Sequence, residues 1–295
     1  MSYKDSVAFI GLGIMGLPMA GHLLEAGCKL TVHTRTKSKA EGLLARGARW
    51  ADTSAEAARS GTATFICLPD TPDVEKVVLG DQGVIAGAPA NSVVIDHSTI
   101  SPAATREIAK ALAAKNVGFL DAPVSGGDIG AKNATLSIMV GGEEEQFEHA
   151  RRLLAHLGKT ITYCGPSGAG QLTKLVNQIL VSITNLAVSE ALAFATKCGL
   201  DPQKTLAAVG GGAAGSWQLS NLGPKMIAGD FKPGFTIKLQ HKDLRLALEA
   251  AAECGLDLRA LNLVQGLFGD ALKEGRGEEG TQALYAVVRE QSESS

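Results

Sequence analysis

Seven short apolar runs between residues 6 and 165 constrain this chain more than any other feature. They read SVAFIG, LTVHTR, ATFICLP, SVVIDHST, GFLDAPVS, LSIMVGG and TITYCG. Amphipathic stretches lie between them, among them KSKAEGLLARG (residues 37–47) and SPAATREIAKALAAKN (residues 101–116). Runs of strand length separated by about ten to fifteen helical residues imply βαβ units, and hence a mostly parallel sheet covered on both faces. Sheets of that kind bind ligands at the carboxyl ends of their strands.

The rhythm changes after Gly165. Residues 168–198, GAGQLTKLVNQILVSITNLAVSEALAFATKC, contain no turn signal, and Leu172, Leu175, Ile179, Ile183 and Leu186 recur at helical spacing. The pattern predicts one helix over about 168–197, roughly 45 Å long at the α-helical rise. The remainder of the chain reads as helix throughout: DPQKTLAAVGGG, SWQLSNLGPKMIAG, KLQHKDLRLALEAAAECG, LRALNLVQGLFGDALKEG and EGTQALYAVVRE. The expected architecture is an α/β, doubly wound N-terminal domain over residues 1–165 and an all-helical C-terminal domain over residues 166–295, joined by the long helix. The final EQSESS is expected to be disordered.

Bulk properties exclude several classes. A chain of 295 residues suggests two domains, and 45% hydrophobic with 20% charged residues is ordinary globular composition. A formal net charge of -2 gives no electrostatic case for a nucleic-acid or anionic-membrane partner. The opening MSYKDSVAFIGLG carries too short an apolar run for a secretory signal. No stretch approaches the roughly 18 to 20 apolar residues expected of a membrane span. Cys28, Cys67, Cys164, Cys198 and Cys254 are dispersed without a CxxC pair, as expected of reduced thiols in a cytoplasmic protein. The six histidines show no ligand spacing, so no metal is expected.

The first apolar run leads into GLGIMG, residues 11–16. Alone, this spacing can be a tight turn. Here Val7–Ile10 precede it as a strand and Pro18–Leu24 follow as a helix, the context of a dinucleotide fingerprint. Gly11 permits the turn, Gly13 lets the backbone approach a pyrophosphate, and Gly16 lets helix pack on strand. The helix N-terminus offers unpaired N–H groups to phosphate. Gly11, Leu12, Gly13, Ile14, Met15 and Gly16 form the candidate cofactor loop.

The second strand discriminates between dinucleotides. NAD enzymes usually end it with an acid that bonds the ribose hydroxyls, whereas this one ends with Thr34, Arg35 and Thr36. Arg35 can stack on adenine or pair with a 2′-phosphate; alternatively Arg35, Lys37 and Lys39 are a solvated helix start. NADP is the expected cofactor, with NAD as the alternative.

Three further segments carry chemistry. In DAPVSGG, Ser125 supplies a hydroxyl, and Gly126 and Gly127 can present backbone N–H groups to a carboxylate or a polarised carbonyl. The same residues also make an ordinary turn. In GAGQLTKLVNQ, Lys174 lies within an apolar helix and shares a face with Asn177 and Gln178, continued by Asn185 and Ser189. Its ammonium either snorkels to solvent or, desolvated, serves as a proton donor near neutrality. In KLQHKDLRLALE, Lys242 and Asp243 precede a helical pattern, either as exposed charges at its start or as groups that reach a ligand.

Together GLGIMGLPMA, DAPVSGG, GAGQLTKLVNQ and the late Lys-Asp pair, in this order and spacing, resemble the β-hydroxyacid dehydrogenase family over essentially the whole chain. The family includes 3-hydroxyisobutyrate dehydrogenase, tartronate semialdehyde reductase and the succinic and glyoxylate semialdehyde reductases. The resemblance implies a Rossmann-like domain, a helical domain and a long interdomain helix, with the active site in the cleft between. It implies reversible hydride transfer between a nicotinamide and a short 3-hydroxy acid or semialdehyde. By resemblance, Gly11, Gly13 and Gly16 meet the pyrophosphate, Leu68 and Pro69 pass near the cofactor, and Thr99 lies on the nicotinamide side. Ser125, Gly126 and Gly127 then bind the substrate carboxylate, and Lys174 is the general acid/base. Lys242 matches a lysine near the nicotinamide, supported by Asp243.

One departure stands out. Many members carry Asn four residues after the lysine; here Gln178 holds that place and Asn177 precedes it, so either amide could position substrate. Trp217 and Asn221, in GSWQLSN, are candidate substrate contacts, with a core position as the alternative for Trp217. Two other readings remain: an imine reductase, which commonly replaces the lysine, and a non-catalytic nucleotide-binding module, which typically loses it. Lys174 argues against both. The long apolar helix and helical domain suggest a homodimer or homotetramer.

Overall fold

A computed structural model describes residues 6–293, and the chain divides into two compact units, one ending at Lys174 and the other beginning at Leu175. The first unit is a mixed sheet with helices on both faces. Its strands among the described residues are β1 (Ser6–Ile10), β2 (Lys29–His33), β3 (Arg49–Trp50), β4 (Ala63–Ile66), β5 (Val93–Asp96), β6 (Gly118–Asp121), β7 (Val124–Ser125), β8 (Leu136–Gly141) and β9 (Gly158–Gly165). They run in the order β3-β2-β1-β4-β5-β6-β8-β7, and β9 pairs with β8. All pairs are parallel except those of β8 with β6 and β7. The first six strands therefore follow the 3-2-1-4-5-6 order of dinucleotide-binding sheets, whose chain reverses direction of growth between β1 and β4.

The apolar runs are continuous because both faces of the sheet are covered. Side chains alternate between two cores: Phe9, Phe65 and Ile95 pack into one, and Ala8, Ile66 and Val94 into the other. Phe9 and Phe65 stack with ring centroids 6.0 Å apart. Truncating either to alanine would cost about 3–5 kcal/mol by opening a cavity.

All seven apolar runs contain strands, with two refinements. GFLDAPVS divides into β6 and β7, because Pro123 cannot donate to a ladder and the chain then turns to pair antiparallel with β8. The two-residue β3, within RGARWA, is too short to carry a period. SPAATREIAKALAAKN forms the helix Pro102–Ala113, capped by the Ser101 hydroxyl on the Ala104 N–H. KSKAEGLLARG forms a 3₁₀ turn, Lys37–Ala40, and a short helix, Glu41–Leu44.

The predicted long helix is present as Ala169–Lys197, 29 residues, continuing from the first unit into the second. By length and hydropathy it could cross a membrane, which corrects the expectation that no segment qualifies. A mainly apolar sequence gives that result, yet its packed side is partly polar: Gln171, Lys174, Gln178, Ser182, Asn185 and Ser189 are all buried.

The second unit is helical, with helices Pro202–Gly210, Trp217–Asn221, Gly223–Ala228, Ile237–Glu253, Arg259–Lys273 and Leu284–Glu293 after the long one. Its core joins Leu175 and Leu186 to Leu244, Leu261, Phe268 and Val287. SWQLSNLGPKMIAG, expected as one stretch of helix, is broken at Leu222 because Pro224 opens a new first turn. The last helix takes in Glu290–Glu293, so four residues of the expected disordered tail are helical; Ser294 and Ser295, like Met1–Asp5, lie outside the described residues.

Candidate active site

The carboxyl ends of β1, β2, β4, β5 and β6 carry most of the sequence-selected residues. After β1 the chain turns through Gly11 at φ +96°, and a side chain there would strike the Cys67 carbonyl and crowd Leu68. A side chain at Gly16 would strike the Gly11 carbonyl and press on the Phe9 ring. A Cβ at Gly13, by contrast, would meet nothing within 4 Å. Two of the three glycines are thus needed for the fold of the turn, and the third faces open space where a backbone-hugging ligand fits. The helix Gly16–Glu25 starts there with no side-chain cap and no acid in its first turn, leaving its positive dipole end for an anion, although the Leu17 N–H already donates to the Gly13 carbonyl and Pro18 has none to offer. Ile14 is 57% exposed and Met15 half-buried, while the Leu12 side chain packs in the core and can offer a ligand only its backbone.

The Gly11 N–H donates to the His33 carbonyl at 3.0 Å, fixing the loop to the end of β2. Thr34, Arg35 and Thr36 come directly after. Arg35 is 86% exposed and lies 3.9 Å from Asp73, a loose surface pair worth little. Lys37 sits over the Trp50 ring, 5.2 Å from its centroid.

The ends of β4, β5 and β6 converge on the first turns of the long helix. The Asp121 carboxylate, at the end of β6, accepts from the Gly168 N–H at 2.8 Å and the Gln171 N–H at 2.9 Å. It therefore satisfies N–H groups that the helix start would otherwise leave orphaned. Burial pushes Asp121 up to about 6, against backbone N–H groups, including Gly168 and Gln171, that pull it down. The buried Gln171 amide grips the loop after β5: Nε2 donates to the Ser98 carbonyl at 2.8 Å, and Oε1 accepts from the Ile100 N–H at 3.1 Å. Thr99 lies between those two anchors. Ser98 Oγ in turn accepts the Leu68 N–H at 2.9 Å, binding the loop after β4. His97 Nδ1–H donates to the Ala122 carbonyl at 2.6 Å, and burial pulls the ring down to about 4, so it is neutral.

One turn beyond Gln171, Lys174 is 7% exposed and does not snorkel. Ser125 pairs in β7 with Ser137, followed by Gly126 at φ +129° and Gly127 at φ +63°, conformations that favour glycine. A Cβ at Gly127 would meet nothing within 4 Å. The candidate cofactor loop, the carboxylate-binding candidates and the lysine all belong to the first unit.

Residues 6–165 match the family model described as the NAD binding domain of 6-phosphogluconate dehydrogenase. Residues 168–288 match the one described as NAD-binding of NADP-dependent 3-hydroxyisobutyrate dehydrogenase. The oxidoreductase YkwC of Bacillus subtilis is 44% identical over 284 residues, covering 96% of this chain and 99% of its own length. The 2-hydroxy-3-oxopropionate reductase of Escherichia coli is 43% identical, covering 96% of each chain. A 3-hydroxyisobutyrate dehydrogenase from Mycobacterium tuberculosis, solved with L-serine, has a TM-score of 0.88 at 31% identity and covers 98% of this chain and 100% of its own. The chain belongs to the β-hydroxyacid dehydrogenase family. It is accordingly an NAD(P)-dependent oxidoreductase of the hydroxyacid dehydrogenase class.

In this β-hydroxyacid dehydrogenase the second unit holds its own constellation. Lys242 and Asp243 do not precede their helix: Thr236 caps it, accepting the Leu239 N–H, so the helix starts at Ile237 and both residues lie inside it. They are not exposed charges either. Lys242 is 12% and Asp243 1% exposed, and they pair at 2.7 Å. Gln178 Nε2 donates to the other Asp243 oxygen at 2.5 Å, while Gln178 Oε1 accepts from Asn177 Nδ2 at 2.9 Å. Trp217 is 54% exposed and so is no core residue; Asn221, also exposed, donates to the Trp217 carbonyl.

Asp121, Gln171, Ser98 and His97 were not singled out from the sequence. Two of them had a signal: Asp121 opens DAPVSGG, and Gln171 stands three residues before Lys174, on its face of the helix.

Proposed function

We propose that this enzyme prefers NADP(H) and reversibly transfers hydride between the nicotinamide and a short 3-hydroxy acid or its semialdehyde, with Lys174 as general acid/base. The observation that carries the reading is Lys174 itself: buried, one turn beyond the Gln171 clamp, in the same compact unit as the glycine loop. Gly11, Gly13 and Gly16 with the helix N-terminus would hold the pyrophosphate, Arg35 and Thr36 a 2′-phosphate, and the Leu68–Pro69 and Thr99 loops the nicotinamide half. When bound, the nicotinamide supplies or takes up the hydride.

The chain's residues do the rest. Ser125 and the N–H groups of Gly126 and Gly127 bind the substrate carboxylate and so orient the reacting carbon. In reduction, the Lys174 ammonium gives its proton to the oxygen of the former carbonyl, and its charge stabilises negative charge developing there. In oxidation the neutral amine takes the hydroxyl proton. Burial withholds competing water from Lys174.

The substrate class is supported by what the relatives are named for: a reductase of 2-hydroxy-3-oxopropionate, and a 3-hydroxyisobutyrate dehydrogenase solved with L-serine, itself a 3-hydroxy acid. A 3-hydroxyisobutyrate dehydrogenase-like activity is the first reading, and 2-hydroxy-3-oxopropionate (tartronate semialdehyde) reduction the second, favoured by the 43% identity. Self-association is supported by Val176, Leu180 and Phe194, which lie 56%, 64% and 69% exposed on one face of the long helix. The test is NADPH oxidation over a panel of small semialdehydes and glyoxylate, paired with NADP-dependent oxidation of 3-hydroxy acids. Turnover of a three- or four-carbon member is expected; no turnover of any carboxylate-bearing semialdehyde or 3-hydroxy acid would overturn the reading.

A further inference from the structure

We infer that Gln171 is a positioning residue that sets the nicotinamide half of the cofactor site, acting through the loop that carries Thr99. Its role rests on the proposed placement of the cofactor.

The geometry starts with the cofactor's direction. With the pyrophosphate at the loop after β1 and the adenine ribose at the end of β2, the other half must extend over the opposite side of the switch point, across β4 and β5. The loops there are Cys67–Asp70 and His97–Ile100. Neither is held by strand pairing alone. Gln171 bonds the second on both sides of Thr99, to the Ser98 carbonyl and the Ile100 N–H, as a neighbouring strand would. Ser98 passes the constraint on to the Leu68 N–H. One buried amide on the long helix thereby fixes both loops, and it does so from three residues before Lys174, on the same helical face. The separation in sequence, 71 and 73 residues for the two bonds, makes it a tertiary clamp rather than a local turn. Both side-chain bonds go to the loop after β5, not to the glycine loop or the β2 end, so the effect falls mainly on one half of the cofactor.

That asymmetry gives the test. Full-length protein with Gln171→Met keeps the side-chain volume and loses both hydrogen bonds. Its affinity is measured for NADPH and for 2′-phospho-ADP-ribose, the same cofactor without nicotinamide. NADPH binding is expected to weaken about tenfold, as for loss of roughly one buried hydrogen-bonded contact, while the fragment stays within about twofold of wild type. Turnover should fall by about ten- to a hundredfold, as for a misplaced reactant, with the carboxylic substrate's KM little changed. Ser98→Ala, which cuts the link to Leu68 only, should show the same asymmetry more weakly and serves if the first variant fails to fold. Equal loss for NADPH and fragment, or no loss for either, overturns the inference. The binding arm needs no substrate, so wild-type protein that binds NADPH but turns over no semialdehyde defeats the proposed function and leaves this test standing.

Discussion

Asp121 and His97 stand at neighbouring points of one joint, and burial acts on them with opposite consequences for stability. Asp121 is raised from 3.8 to about 6. Between those values the folded chain holds a proton that the unfolded chain has released, so its contribution is largest below 3.8 and is lost as pH rises through 6. Raising the carboxyl from 3.8 to about 6 is worth about 3 kcal/mol. His97 is lowered from 6.5 to about 4. There the unfolded chain holds the extra proton, so stability rises with pH across the same window, again by about 3 kcal/mol. In the wild-type protein the two slopes nearly cancel. Asp121→Asn removes the falling slope: relative to wild type, the variant should gain about 3 kcal/mol between pH 4 and 6.5. His97→Asn, whose amide can still donate to the Ala122 carbonyl, should lose a similar amount over the same range. Thermal midpoints of both variants, read as differences from wild type at each pH, cancel the titration of every other group. Differences that drift in the same direction, or not at all, would refute the opposing-burial argument.

The cofactor site carries its own consequences. On the proposed role of Arg35 at a 2′-phosphate, Arg35→Ala should cut kcat/KM for NADPH about tenfold or more and leave NADH little affected. Asp73→Asn, which frees Arg35 from its surface partner, should raise NADPH kcat/KM about two- to fivefold. Gly16→Ala should destabilise the fold by about 1–3 kcal/mol or more through overpacking against Gly11 and Phe9. Gly13→Ala, whose Cβ enters open space, should fold with a near-native melting temperature but bind dinucleotide weakly; chemical unfolding and cofactor titration separate the two.

What was legible in the sequence was what local pattern encodes. Continuous apolar runs announced buried parallel strands, the GLGIMG turn announced its own backbone, and the unbroken 3.6 period announced the helix Ala169–Lys197. What was illegible depends on pairings across the chain. Asp121 caps a helix 47 residues away, and Gln171 grips a loop some 70 residues before it. No spacing rule connects such partners. The Lys242–Asp243 pair reads as a helix start because the cap at Thr236 lies before KLQHKD, where the pattern is still polar. For the same reason the polar side of the long helix, Lys174 to Ser189, could be seen as a stripe but not known to be its buried side.

Lys174 is proposed to move the proton in hydride transfer. The direct measurement is single-turnover and steady-state kinetics of Lys174→Ala beside its Kd for NADPH. A fall in kcat of about 10²- to 10⁴-fold is expected, the contribution of a positioned acid/base, with Kd within about twofold of wild type. A variant that binds NADPH normally and retains most of its turnover would contradict it.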